Sequence, residues 1–245
     1  MRFIASLVLV ALVAGCGGTV PDEPNVVPSR PTIENAVVIA PATADTWQQV
    51  NTLQSPVDAY AAAWTEALGA TGGFEATVGV AALAQGDAPA SFCGGSVDFD
   101  PNGAIVRYCS AVKTGPDPAP QAGFILVPYQ PYMSALNSVV LDRGRLSGQL
   151  GTALLMARAY AQHLAAEFEL RSLIAPLARH RLRQQIDCLA GLNLRAYVPA
   201  PLDEQLLSDA IGFAEGLRVF GAHKTTMRQA LVLGFTSGRL ASCLA

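Results

Sequence analysis

Histidine is scarce in this chain, limited to His163, His180 and His223, and that scarcity narrows the available chemistry. None of the three lies in a recognisable serine–histidine–acid context. No G-x-S-x-G turn, phosphate-cradling glycine loop or dinucleotide-binding G-x-G-x-x-G is present. Paired cysteines at zinc-site spacing are missing as well, because no two of the five cysteines form C-x-x-C. Lysine is nearly absent, two against fourteen arginines, and the formal net charge is only −3, or −4 once Arg2 is removed with a leader. So mild a balance argues against nucleic acid as a partner.

What is present begins with an address. Met1-Arg2 precedes an apolar run from Phe3 to Gly15, and Cys16 follows. One basic residue, a short hydrophobic core and small residues before a cysteine make a secretory signal peptide over 1–15. The run is too short to span a bilayer as a stable helix. Val13-Ala14-Gly15-Cys16 fits the bacterial lipobox, in which the chain is cut before the cysteine and its sulfur is acylated. Chains such as palmitate contribute about 0.8 kcal/mol per buried CH₂, so several on Cys16 would form a firm anchor. The expected address is the extracytoplasmic face of the cell membrane, with the membrane itself as a partner through Cys16.

Residues 16–47, with Pro21, Pro24, Pro28 and Pro31, read as an extended tether. The remaining 48–245 suffices for one domain with one core. Setting Cys16 aside leaves Cys93, Cys109, Cys188 and Cys243, an even number for an oxidising compartment. Three pairings are possible. The turn-rich segment between Cys93 and Cys109 makes a local bridge plausible, and Cys188 would then tie a helix to the carboxyl end through Cys243.

Within the domain, Ser55 as N-cap and Pro56 at the first helical position open a helix, and Gly72-Gly73 follows its end. Strand-like pieces follow at "ATVGVAAL", "AIVRYC" and "GFILVPY", and "KTGPDPAPQAG" can close a hairpin between the last two. From Gly148 the pattern is helical, with helices expected over about 148–170, 178–197, 202–217 and 223–237. The fold class expected is α+β, mostly helical with a small hairpin or sheet region.

Several fragments, in order, resemble the bacterial neutral zinc metallopeptidase family. Its cysteine–glycine and tyrosine–cysteine pairs match Cys93-Gly94 and Tyr108-Cys109. Its H-E-x-x-H-H helix aligns with "RAYAQH", Arg158 to His163, where Tyr160 and His163 are kept. Its E-L-Q-A-D-C-F-A-G helix aligns with "RQQIDCLAG", keeping Gln185, Asp187, Cys188, Ala190 and Gly191. An acid-opened helix follows, "LDEQLLSDAIGFAEG", and G-F-x-S-G before a last cysteine matches Gly234-Phe235, Ser237-Gly238 and Cys243. The resemblance spans Pro56 to Cys243 and implies a zincin-like fold.

The departures fall on the chemistry. In that family two histidines one turn apart bind Zn²⁺ and the glutamate acts as general base. The matching positions here are Arg158, Gln162 and Ala159, and the third ligand, a glutamate, is matched by Arg183. An arginine cannot shed its proton to become a ligand. His163 follows Gln162 and is turned by about 100° around the helix, away from that face. The expectation is therefore a catalytically inactive, metallopeptidase-like lipoprotein, a pseudoenzyme with no catalytic residues, metal or cofactor. It would serve a binding or regulatory role toward a protein or envelope partner. The alternative is a zinc-dependent peptidase with a rearranged site drawn from His163, His180, His223 and scattered acids. At the degenerate site, Arg158, Arg183 or both are expected to pair with Asp187, replacing the metal by an ion pair.

Overall fold

The computed structural model describes residues 37–41, 53–68, 77–84, 105–109, 123–167, 179–198, 204–216 and 224–244. Contacts divide the chain into Met1–Thr32, which lies outside those residues, and one compact unit, Ile33–Ala245. The signal peptide, Cys16 and Cys93 fall outside the described residues, as does His223. Among the described residues no helix is long and apolar enough to cross a membrane.

Helix α1, Gln54–Leu68, carries Pro56 in its first turn, where a missing N–H costs nothing. Its buried stripe is Pro56, Val57, Tyr60 and Trp64, a helical spacing that turns one face inward. Both aromatic polar atoms find partners there. Tyr60 Oη donates to Ala153 O at 2.8 Å. Trp64 Nε1 donates to Asn193 Oδ1 at 2.7 Å, and Asn193 Nδ2 donates on to Ala157 O at 2.8 Å.

Three strands form one sheet in the order β1-β3-β2: β1 Gly79–Leu83, β2 Arg107–Cys109 and β3 Phe124–Pro128. β3 runs parallel to β1 and antiparallel to β2. Ile125, Leu126 and Val127 are all fully buried, so both faces of the central strand are covered. That is why its sequence is an unbroken apolar run instead of an alternation.

β3 leads without a break into α2, Tyr129–Arg143. The strand expected at "GFILVPY" ends at Tyr129, and the sequence pattern predicts no element from there to Gly148. Pro131 sits in the helix's first turn, where proline is tolerated, and Tyr132 is fully buried. Gly144, at φ 92, breaks the chain's helical course before α3 begins at Arg145, three residues earlier than expected. A left-handed residue is the usual device for ending a helix, and glycine adopts it without strain.

Helix α3, Arg145–Glu167, is the centre of the core. Leu150, Leu154, Met156, Ala157, Tyr160, Ala161 and Leu164 are buried around nearly its whole circumference. α4, Arg179–Tyr197, packs against it and against α6, Lys224–Ser237; α5, Glu204–Gly216, packs on α3. The short α7, Ala241–Leu244, carries Cys243. At the α4–α6 seam a Cβ on Gly191 would lie 2.0 Å from Leu231 O, and one on Gly234 would lie 1.9 Å from Cys188 O. Only glycine allows the backbones so near. The bond between Cys188 and Cys243 closes the same seam.

The tether boundary moves. Residues 16–47 were expected to run free of the domain, yet Val37 and Ile39 are buried. Ile39 N donates to Gly238 O at 2.8 Å, and Leu240 N donates to Val37 O at 3.1 Å. Val38 bridges antiparallel to Arg239. The alternating pattern places Val37 and Ile39 inward and Val38 outward, a strand-like period too short to stand out beside the prolines. The domain is mostly helical with a small mixed sheet, an α+β arrangement.

Candidate functional site

The positions that match the metallopeptidase motif lie where α3, α4 and β2 come together. Arg158 projects from α3 and Asp187 from α4. Arg158 Nε donates to Asp187 Oδ1 at 2.6 Å. The carboxylate side chain is fully buried and the arginine side chain is 13% exposed. Burial pushes the Asp187 carboxyl above its ordinary 3.8, and the Arg158 charge and hydrogen bond, with Arg183 farther away, pull it back only in part. The second oxygen, Oδ2, is buried and has no hydrogen-bond partner. One charged contact thus offsets a costly burial incompletely.

The remaining motif positions have separate occupations. Ala159 is 1% exposed and belongs to the hydrophobic core. Gln162 Oε1 accepts from Tyr108 N at 3.3 Å, which satisfies a backbone donor on β2, an edge strand of the sheet. Arg183, one turn before Asp187, is exposed and makes no direct contact with it, so Arg158 is the arginine that pairs. His180 is exposed.

His163 is fully buried and serves the packing of β2 on α3. Its Nδ1 lies 3.2 Å from Tyr108 Oη and 3.9 Å from Glu167 Oε1. Its ring sits between those of Tyr108 and Tyr160, with centroids 5.3 and 5.4 Å away. These contacts tie the ring to β2 and to its own helix.

The resemblance implies zinc, and the residues at the matching positions do not fit it. Arg158 presents a permanent cation where an imidazole would be needed, and that cation already holds Asp187. Gln162 uses its amide oxygen on β2, and Ala159 supplies no general base. Among the described residues, no group of three or more His, Cys, Asp or Glu is placed to hold a metal ion. Among the described cysteines, Cys188 and Cys243 are joined to each other, and Cys109 is also disulfide-bonded.

Some structural polar residues carried no signal in the sequence. Asn193 links α1, α3 and α4, and nothing in its spacing separates it from a surface asparagine. Arg195 donates from Nε to Ile39 O at 3.0 Å and from Nη1 to Phe235 O at 3.1 Å, fastening the 37–41 segment to α6. No protein-family model, curated protein or solved structure matches this chain.

Proposed function

We propose that this chain is an exported lipoprotein, anchored to the extracytoplasmic face of the membrane through acylated Cys16. Its domain keeps a zincin-like frame without zinc chemistry, and it binds or regulates a partner in the cell envelope instead of cleaving one. The observation that carries this reading is the 2.6 Å contact from Arg158 to buried Asp187. A fixed cation stands at a motif position that zinc binding requires to be neutral or anionic. The lipobox ending at Cys16 and the disulfide at Cys188 and Cys243 both suit an oxidising envelope compartment.

Two measurements test it. Metal analysis of the purified protein is expected to find zinc far below one per chain, with a melting temperature that a chelator leaves unchanged. One zinc per chain, lost to chelator together with stability and peptide hydrolysis, would establish the peptidase alternative. Cys16→Ala is expected to move the protein from the membrane fraction to the soluble one. Unchanged membrane retention would remove the lipid anchor from the proposal.

A further inference from the structure

Tyr108 and His163 bring a phenol and an imidazole together at the β2–α3 contact. Tyr108 is half-buried in the middle of β2, where its backbone N donates to Gln162 and its register partner is Ile125. Gly123 leaves room for its hydroxyl, since a Cβ there would lie 2.9 Å from Tyr108 Oη. The phenol reaches α3, with Oη 3.2 Å from Nδ1 of the fully buried His163. With the imidazole proton on Nε2, Nδ1 accepts the Tyr108 O–H. Glu167 follows one turn later on α3, its Oε1 3.9 Å from the same nitrogen. That is too long for a hydrogen bond, yet close enough for a carboxylate to favour the imidazolium form.

A phenol that loses an electron becomes a strong acid, so its oxidation is easiest where a base already holds the hydrogen. Other tyrosines are set differently. Tyr60 Oη donates to Ala153 O, a carbonyl that cannot take up a proton, and burial raises the Tyr60 hydroxyl well above its ordinary value. Burial raises the hydroxyls of Tyr132 and Tyr197 as well. Tyr129 is 46% exposed, so its proton leaves to water or buffer.

The rings also connect inward. Ring centroids are 5.3 Å apart for Tyr108 and His163 and 5.4 Å for His163 and Tyr160. Tyr60 continues the path, 5.7 Å from Tyr160 and 6.1 Å from Tyr197. These are contact distances between aromatic rings, short enough for an electron to cross. An electron lost from an inner ring can therefore be replaced from Tyr108.

We propose that Tyr108 is a redox-active tyrosine, a site of one-electron oxidation with His163 as its built-in base. An outer-sphere one-electron oxidant, such as nitrogen dioxide or carbonate radical, takes one electron from the Tyr108 ring and is reduced to its anion. The Tyr108 O–H bond breaks, the proton forms an N–H bond at His163 Nδ1, and a neutral phenoxyl radical stands beside an imidazolium. A one-electron donor such as ascorbate reverses both transfers. Neither Arg158 nor Asp187 takes part, so the inference does not rest on loss of the peptidase site.

Oxidation of the purified full chain by photogenerated tris(bipyridine)ruthenium(III), followed by freeze-quench and electron paramagnetic resonance, tests it. A tyrosyl radical is expected to dominate, to be lost in Tyr108→Phe and to remain in Tyr129→Phe. In the parent protein its rate of formation should not change with buffer concentration, because the base is internal. His163→Gln should remove most of the signal or make its formation depend on buffer, a change that loss of packing alone would not produce. Glu167→Gln should shorten the lifetime of the radical, since the imidazolium loses its counter-charge. No tyrosyl signal, a dominant signal that survives Tyr108→Phe, or a parent rate that rises with buffer concentration overturns the proposal. The buffer measurement on the parent decides even where His163→Gln does not fold.

Discussion

On one side of α4, facing α3, a buried carboxylate is held by a single arginine and keeps an unpaired oxygen. On another, facing α6, two glycines let the backbones touch and a disulfide fastens the contact. The α4–α6 seam gains from contact and covalent linkage, which need no charge and lose nothing to desolvation. The α3–α4 seam places charge in the core, where each ion must recover its lost hydration from one neighbour. Close packing is self-sufficient in a way that a buried ion pair is not, and the two seams should respond differently to the same kind of substitution.

The largest expected effect is on the α4–α6 side. Replacing Cys188 and Cys243 together by alanine opens a loop of 55 residues. The chain-entropy account assigns that closure about 4 kcal/mol of stability. Denaturant unfolding in parallel with the parent would measure it, and a loss below about 1 kcal/mol would mean that packing alone holds the seam. On the α3–α4 side, Asp187→Ala leaves Arg158 without its partner and is expected to cost about 3 kcal/mol. The lower part of the usual range applies because the arginine side chain keeps some contact with water. Adding Arg158→Met should restore most of that loss, since an apolar pair of similar volume can replace a buried ion pair. A double variant no more stable than Asp187→Ala would show that Arg158 contributes mainly through its stem. The smallest effect is in pH. Burial lifts the Asp187 carboxyl above 3.8, so ionising it weakens the fold. Its contribution is full below the unfolded value and declines as pH rises through the folded one. Compared with Asp187→Asn, the parent should therefore lose relative stability as pH climbs from about 3.8, and a rise would reverse the assigned direction.

The legible parts of the fold were those with a strong local pattern. Pro56 marked the start of α1, and the apolar run through Ile125, Leu126 and Val127 marked β3. Helix α2 was not legible because polar Ser134, Asn137 and Ser138 interrupt its apolar residues, leaving no clear helical stripe around Tyr132. Val37 and Ile39 were lost in a proline-rich stretch because two inward residues are too few to make a period. At the site, the absence of ligands at Arg158, Ala159, Gln162 and Arg183 could be read directly. Their replacement roles could not, since Gln162 serves a strand 54 residues earlier in the chain.

By itself the sequence determined the number of cysteines and the permanent cations at Arg158 and Arg183, because residue identity alone settles those. Only the tertiary structure decided which arginine answers Asp187. Arg183 is one turn away on the same helix yet remains at the surface, while Arg158 crosses from α3 to the buried carboxylate. Helix spacing brings residues to a common face, but the packing of the neighbouring helix determines which charge is desolvated with its partner.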